Sequence, residues 1–323
     1  MSTRAIGIAF LPLLFSITLI AQDSPVSKGF DHFYNLEFDA AIAAFGDTIQ
    51  QHPDDADVRN HLAQAILYRA MHRSGALESQ FVSGSNPFLR REKVNTTPAE
   101  DKAFYDALNK SLDISQARLQ HNSNDAGALY TLGIAYGLRA NYNFSVHKDW
   151  IDALRDATNA RKAHNRACGL EPNNADARLI PGLYDYVTGS LPIGYKILGF
   201  LGGYHGDRQR GMATLETVAR QGKSNRVDAQ VLLAVVYRRE RRPQEAIALL
   251  ETLIREFPRS YLLRFEIVQM YKDLDNKEAA LEQVERIREL HRAGAQGYAD
   301  LPAEKIDLLQ GNLPKPYKRQ EAN

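Results

Sequence analysis

The chain has 323 residues, of which 44% are hydrophobic and 24% are charged, and its formal net charge is +1 at pH 7. Binding to nucleic acid needs a local excess of lysine and arginine to neutralise phosphates, so we expect no nucleic acid among its partners. The single cysteine, Cys168, excludes an internal disulfide, and a chain of this length must therefore be stabilised by the packing of its core.

The N-terminus carries the pattern of a secretory signal peptide. Arg4 precedes an apolar and small-residue stretch from Ala5 to Ile20, which is shorter than the roughly 20 residues that span a bilayer. We expect cleavage near Ala21, so that residues 1–21 are the signal peptide and the mature protein is periplasmic or secreted. Retention of this segment as a membrane anchor is the alternative. No cysteine follows the stretch, which argues against a lipoprotein.

Small and aromatic residues recur along the chain with a period of about 34 residues. In the clearest copy, residues 227–259, Ala234 lies in a first helix and Ala246 in a second helix, and Pro258 ends the copy. Small side chains at these two positions allow the two helices to approach closely. Proline cannot continue a helix and therefore marks the entry to the next copy.

Further copies align on the same offsets. The N-terminal copy has the equivalent residues Gly29, Phe38, Ala41, Phe45, Ile49 and Pro53. Residues 128–136 form the first helix of a central copy, and the copy after Pro258 runs through Ala280, Val284 and Ile287. Six copies, which we call units one to six, fit between about residues 25 and 291.

In this pattern the chain resembles the tetratricopeptide repeat (TPR) family, and in particular exported bacterial members. The resemblance implies an all-α fold, a right-handed superhelical solenoid of about six TPR-like helix pairs whose first helices line a concave groove. We therefore assign residues 22–291 to the solenoid. Residues 292–323 are expected to form a short helix, from Ala303 to Leu309, and a basic tail.

Insertions are expected in units two to four, where the repeat pattern is interrupted. The first covers about residues 73–99 and has the composition of a loop. The second covers about residues 139–150 and carries Tyr142, Phe144 and the only tryptophan, Trp150. We expect the second insertion to fold back onto the repeats and bury these aromatic side chains.

The third insertion, about residues 188–206, is apolar and rich in glycine. An apolar segment such as Leu191 to Tyr204 must either pack on the solenoid or contact something else. A short helix that covers the solenoid is one interpretation. The other is a contact surface for a partner, for a lipid or for the surface of a membrane.

The family geometry also indicates which side chains face the groove. We predict that the partner-binding residues are Asn60, Gln64, Tyr68, Tyr130, Ile134, Leu183, Tyr186, Arg238, Arg239, Gln269 and Lys272. Amides can hydrogen-bond a peptide backbone and arginines can bind a carboxylate with two donors, so this set favours an extended or helical peptide of acidic character. A solvated concave face without a partner is the alternative.

The sequence lacks the motifs of metal, nucleophile and phosphate chemistry. It contains no His-Glu-x-x-His, Cys-x-x-Cys, Gly-x-Ser-x-Gly or phosphate-loop motif. His205 with Asp207 is the nearest approach to a ligand pair, and a zinc site needs three or four ligands. Cys168 falls at a helix-packing position, which favours a small buried hydrophobic residue over a reactive thiol. We expect no enzymatic activity, no catalytic residue, no cofactor and no metal.

These patterns favour a non-enzymatic protein-interaction or scaffold module of the bacterial envelope, which binds a peptide or protein partner in its concave groove. One alternative is a carrier of an apolar ligand or lipid that uses the segment from Leu191 to Tyr204 as a lid. A further alternative is an enzyme with its site in the insertions.

Overall fold

The computed structural model describes residues 25–77, 93–191, 205–311 and 313. In these residues the chain forms α-helices and no strand, and consecutive helices pack on each other in pairs. The predicted all-α solenoid of about six helix pairs is therefore confirmed. No helix among the described residues has both the length and the apolar character that crossing a bilayer requires.

Each of the six units consists of a first and a second helix, and one further helix follows the last unit. In chain order the helices are α1 (Pro25–Tyr34) and α2 (Phe38–Gln51), α3 (Ala56–Arg73) and α4 (Pro98–His121), α5 (Ala126–Tyr142) and α6 (Trp150–Leu170), α7 (Leu179–Gly189) and α8 (Arg208–Gln221), α9 (Arg226–Arg239) and α10 (Pro243–Glu256), α11 (Tyr261–Asp273) and α12 (Lys277–Arg292), and α13 (Ala303–Gln310). Helix α13 packs against α12.

The turn between the two helices of a unit has one geometry in units one, five and six. Leu36, Arg241 and Asp275 follow a first helix and have positive φ values of 67°, 58° and 54°. In each case the next residue donates its N–H to the carbonyl oxygen five positions back, over 2.8 to 2.9 Å. This is the Schellman arrangement that ends helices. The sequence repeat is thus also a repeat of backbone conformation.

Small residues in the repeat pattern allow the helices to approach closely. A Cβ atom on Gly29 would lie 2.4 Å from a ring carbon of Phe45, and one on Gly133 would lie 2.1 Å from Cδ2 of His164. Ala234, at the equivalent position in the first helix of unit five, is buried, and so is Ala246 in the second helix. The structure confirms that small side chains at these positions leave room for the neighbouring helix.

Unit four has a short first helix, which crosses the second helix at close backbone contact. Helix α7 follows one 3-10 turn, Asp176–Arg178, so that Pro181 falls in its first turn, where a missing N–H is tolerated. A Cβ atom on Gly211 of α8 would lie 2.3 Å from the backbone nitrogen of Tyr186 in α7. The two helices therefore touch through their main chains.

We expect Gly211→Ala to destabilise the protein by about 1–3 kcal/mol, because the methyl group would overlap the main chain of α7, which cannot rotate aside. Gly46→Ala is the matched control, since nothing lies within 4 Å of a Cβ atom at that position of α2. It should leave the stability unchanged or raise it by up to about 1 kcal/mol. Urea unfolding followed by circular dichroism measures both, and equal stabilities of the two variants would contradict the described crossing.

The segment predicted as the second insertion, 139–150, is largely helical. Helix α5 continues to Tyr142, a π-helical turn spans Asn143–His147, and α6 already begins at Trp150. The additional residues of unit three therefore lengthen its helices and create a π-turn between them, because the segment can continue the backbone hydrogen bonding of the helix.

The aromatic side chains around this π-turn have different environments. Tyr142 is completely buried and stacks on Phe104 with ring centroids 4.1 Å apart. Trp150 contacts Phe144 at 4.6 Å but keeps 40% of its surface exposed. The prediction that this segment buries its aromatic residues is thus confirmed for Tyr142 and wrong for Trp150.

A capping box begins α4 at the end of the first predicted insertion. The Thr97 hydroxyl accepts a hydrogen bond from the Glu100 N–H at 3.2 Å, and the Glu100 carboxylate accepts one from the Thr97 N–H at 2.9 Å. Arg73, the last residue of α3, donates two hydrogen bonds to Glu100 at 2.9 and 3.0 Å. These bonds from Arg73 lower the pKa of Glu100 to about 2. The end of α3 is thereby joined to the start of α4.

Several predicted features lie outside the described residues. They are the signal peptide at 1–21, residues 78–92 of the first predicted insertion, residues 192–204 of the third, and the basic tail beyond residue 313. These predictions are not tested by the structure.

His164 is a completely buried histidine at the packing of α5 on α6. Its Nδ1 atom lies 2.9 Å from the carbonyl oxygen of Ala177. Burial lowers the pKa of His164 to about 4, although the hydrogen bond to Ala177 opposes this effect. The folded protein therefore keeps this imidazole neutral in a pH range where the unfolded chain protonates it.

Protonation of His164 in the unfolded chain should make stability dependent on pH. The unfolded state binds its proton near pH 6.5 and the folded state near pH 4, so stability is fully present above about pH 6.5 and is lost as the pH falls through this window. The loss is about 3 kcal/mol. Chemical unfolding at several pH values measures it, with His164→Gln as reference. A pH slope that is identical in the variant would contradict this assignment.

Candidate interaction site on the concave face

The first unit contacts the loop between units five and six. Arg259 in this loop donates from Nε to Glu37 at 2.8 Å and from Nη2 to Asp31 at 2.5 Å. Its backbone N–H donates to the Asn35 side chain at 2.9 Å. We call these contacts the Arg259 latch. They join residues at the two ends of the helical array.

Three further contacts surround the Arg259 latch. Gln296, after α12, donates to the Glu37 carboxylate at 2.8 Å. His72 and the Tyr261 hydroxyl are hydrogen-bonded at 2.8 Å, and the rings of Tyr34 and Phe257 lie 4.9 Å apart. The six units therefore close into a ring, and the open groove that the family resemblance implies becomes the inner face of this ring.

Polar side chains of several first helices meet at the inner face. The Tyr34 hydroxyl of α1 donates to Asp228 of α9 at 3.1 Å. Gln64 of α3 lies close to Asp228 and to His61 and Tyr68 of its own helix. We call this set the lumen cluster, and its members are Tyr34, His61, Gln64, Tyr68, Tyr130 and Asp228.

Burial sets the protonation of the lumen cluster. Burial and the Asp228 carboxylate raise the pKa values of Tyr34 and Tyr68. Burial also raises the pKa of Asp228, although the hydrogen bond from Tyr34 and the charge of His61 oppose this effect. The phenols therefore remain protonated at neutral pH and act as hydrogen-bond donors towards the inner face.

Asp57 and His61 form an ion pair at the edge of the lumen cluster. His61 Nε2 lies 3.5 Å from Asp57 Oδ2, and its ring packs edge-on against Phe30 at 4.5 Å. Burial opposes charge on both groups, but their mutual attraction outweighs it, so that the pKa of Asp57 is lowered and that of His61 is raised. Asp57 Oδ1 and His61 Nδ1 are buried and have no hydrogen-bond partner among the described residues.

The charge of Asp57 is expected to control the titration of His61. In the wild-type protein the His61 ring should titrate above 6.5, the ordinary pKa of histidine. In Asp57→Asn it should titrate below that value, because burial then acts without the compensating carboxylate. NMR of the imidazole resonances measures the midpoint, and Asp54→Asn, which removes an exposed neighbouring carboxylate, is the control. A midpoint that does not fall in Asp57→Asn would disprove the ion pair.

An open pocket of about 690 Å³ adjoins the lumen cluster. It lies where α2 turns into α3 and where α5 begins, and both Asp57 and Tyr130 line it. Tyr130 lies close to Asn225 and packs edge-on against His164 with ring centroids 5.3 Å apart. The pocket therefore shares two side chains with the inner face, one acidic and one aromatic.

The wall of this pocket is acidic. Asp54, Asp55 and Asp57 line it together with Arg118. Asp55 is the N-cap of α3, and Arg118 is neutralised by Asp125 through two hydrogen bonds of 2.9 Å. The pocket consequently has an excess of negative charge, which suits a cationic group of a ligand.

The predicted groove residues have three different positions in the structure. Gln64, Tyr68 and Tyr130 belong to the lumen cluster and are half-buried. Ile134, Leu183 and Gln269 are also half-buried, and the first two pack against the hydrophobic core. These six residues keep some access to solvent, and their predicted role in binding is not tested.

Asn60 and Tyr186 lie in helix interfaces. Asn60 is completely buried and donates to the carbonyl oxygen of Thr131 at 2.9 Å, which joins α3 to α5. Tyr186 is 3% exposed, and its hydroxyl donates to Glu240 at 2.9 Å. The structure contradicts the groove-facing position predicted for both, because each side chain is used to hold neighbouring helices together.

The three predicted cationic residues lie near the C-terminal end of the ring. Arg238 donates to Asp273 at 2.6 Å, and Lys272 donates to the carbonyl oxygen of Leu309 in α13. Arg239 is exposed, and its guanidinium lies 5.9 Å from the centre of the Tyr186 ring. Arg238 and Lys272 are therefore already engaged by the protein.

Sequence reasoning missed residues that the ring closure brings together. Tyr34 carried no usable signal, since the position of Tyr237 and Tyr271 before their turns is taken by His32 in unit one. Asp228 and Arg259 carried none, because each resembles an ordinary solvated residue near a helix start.

The described residues offer little support for catalysis or metal binding. Among them, no three His, Cys, Asp or Glu side chains are grouped so that they could hold a metal ion. Asp207 caps α8 by accepting hydrogen bonds from the N–H groups of Gln209 and Arg210 at 2.9 and 3.0 Å. Cys168 is half-buried, and burial raises the pKa of its thiol, which disfavours the reactive thiolate.

Comparison with known proteins supports the repeat assignment. A family model described as tetratricopeptide repeat matches residues 28–69, 203–261 and 231–298. None of the curated proteins is similar enough in sequence to match the chain.

Several solved structures match the chain at low sequence identity and low TM-score. A thermophilic TPR protein of Thermus thermophilus is 17% identical over 77% of this chain and 97% of that chain, with a TM-score of 0.39. MamA is 16% identical over 62% of this chain and 98% of that chain, with a TM-score of 0.40. A tetratricopeptide repeat protein from Parabacteroides merdae is 14% identical over 88% and 96%, with a TM-score of 0.34. The matched segments identify tetratricopeptide repeats towards both ends of the helical array, and this fold commonly mediates protein interactions.

Proposed function

We propose that this protein is a non-enzymatic interaction module that binds a peptide or protein partner at the lumen cluster and the adjoining pocket. The supporting observation is the pair of unpartnered polar atoms, Asp57 Oδ1 and His61 Nδ1, beside a pocket that Asp57 lines. A buried polar atom without a hydrogen bond costs about 1–3 kcal/mol. A ligand that supplies a donor to Asp57 recovers part of this cost.

The pocket favours a cationic group of the partner. The carboxylates of Asp54 and Asp55, beside the Asp57–His61 pair, suit the side chain of a lysine or arginine or the N-terminal amine of a peptide. The sequence pattern favoured an acidic partner because of Arg238 and Arg239. Since Arg238 already binds Asp273, we give more weight to the charge of the pocket.

We also propose that the protein acts outside the cytoplasm, in the cell envelope or after secretion. The support is the N-terminal sequence pattern, with Arg4 before an apolar stretch and a cleavage position near Ala21. The carrier function would use the segment from Leu191 to Tyr204, of which only Leu191 is described, and no described residue favours it. The same holds for an enzyme in the insertions.

Site-specific photo-cross-linking tests the interaction function. We replace Tyr130 by the photoreactive p-benzoylphenylalanine in the native host and irradiate the cells, and mass spectrometry identifies the adducts. Residue 116, exposed on the second helix α4, is the matched control position. We expect discrete protein adducts at position 130 and none at position 116. In an Asp57→Asn background the yield should fall several-fold, because the pocket loses the carboxylate that accepts a donor from the partner.

The absence of adducts at position 130, or the same adducts at both positions, would refute binding at the inner face. A yield that is unaffected by Asp57→Asn would refute the proposed role of Asp57 in binding.

A further inference from the structure

We propose that unit one is a gate, in which reversible release of the Arg259 latch opens the ring and admits a partner to the lumen cluster. This inference rests on the proposed function, since a gate matters only where a partner binds behind it. The placement of α1 and the kind of contact that closes the ring both support it.

Helix α1 covers polar groups of the lumen cluster with two of its own side chains. Phe30 packs edge-on against His61 at 4.5 Å, and Tyr34 hydrogen-bonds Asp228 at 3.1 Å. His61 lies on α3 and Asp228 on α9, so α1 stands between units two and five. Movement of unit one away from units five and six would therefore uncover the acidic end of the lumen cluster.

The ring is closed mainly by polar contacts that are partly open to solvent. The side chain of Asp31 is 49% exposed, and those of Arg259 and Glu37 are 24% and 19% exposed. Water and salt compete for charges at this degree of exposure, most of all at Asp31. The Arg259 latch is therefore an interface that solvent can reach and exchange.

Interfaces between consecutive units are of a different kind. They bury continuous apolar rows, such as Leu215, Leu233 and Leu253 along units four and five, each at most 2% exposed. Across the ring closure Tyr34 of unit one packs against Phe257, and Leu36 of unit one and Leu77 of unit two pack against the hydrophobic core of unit six. The closure is thus the weaker kind of interface in the ring.

The architecture of a repeat array allows such an opening without unfolding. Each unit packs on its sequence neighbours, so the contact between the ends can separate while every neighbour interface persists. Small rotations at the five successive interfaces then add up to a large displacement of unit one from unit six, as in hinge and shear motions.

Distance measurements between spin labels test the gate in the full chain. Labels at Asp47→Cys on α2 and Glu282→Cys on α12, both exposed positions, report the separation of units one and six in a Cys168→Ala background. We expect Arg259→Glu to add a population whose distance is longer by at least about 5 Å. Combining Arg259→Glu with Asp31→Arg and Glu37→Arg should restore the distance of the parent protein. Arg255→Glu is the matched control, because Arg255 is exposed on α10 and lies outside the latch.

An unchanged distance distribution in Arg259→Glu, with normal helix content, would overturn the gate. Failure of the charge swap to reverse the change would also overturn the assignment of the latch to these residues. If Arg259→Glu does not fold, the milder Glu37→Gln is measured in its place with the same two outcomes.

The cross-linking experiment separates the gate from the proposed function. With a working gate, Arg259→Glu should raise the yield of adducts at position 130 several-fold over the wild type. A longer distance without adducts in either protein would overturn the proposed function and leave the opening established. Adducts with unchanged yield and unchanged distance would overturn the gate alone.

Discussion

Close approach of helices at glycine and alanine is the constraint on which this structure depends. Gly133 leaves the space that His164 occupies, and Gly211 brings α8 into main-chain contact with α7. The separation of paired helices determines how each unit is rotated relative to the next, and the rotations accumulate along the array. The ring closes because this sum brings unit one back to units five and six.

Closure changes the chemistry of the inner face. In an open solenoid Tyr34, His61 and Asp228 would be solvated residues on three separate helices. In the ring they surround one another, burial raises the pKa of Asp228, and the Asp57–His61 pair is held in its charged form. A polar inner face is therefore a product of curvature, and a partner would meet preorganised donors and carboxylates there.

The helix pairs could be predicted from the sequence, whereas the closure of the ring could not. Ala234, Ala246 and Pro258 recur at fixed offsets because each helix pair needs the same local packing, so periodicity reveals it. The lengthened helices of unit three were not predicted, because a residue such as Trp150 can begin a helix as readily as it can end an insertion. Curvature is a sum of small angles with no local signature, and for this reason Asp228 and Arg259 could not be predicted as neighbours of unit one.

The contact between Gln296 and Glu37 has a consequence for how the protein folds. The two residues are 259 positions apart in the chain, whereas contacts inside a unit join residues less than one repeat apart. Local helix hairpins can form early, but joining such distant segments requires a large loss of chain entropy that only a nearly complete array can offset. Joining of unit one to the residues after α12 is thus the natural last and slowest step of folding. A nascent chain cannot complete this step until its C-terminal repeats have been synthesised.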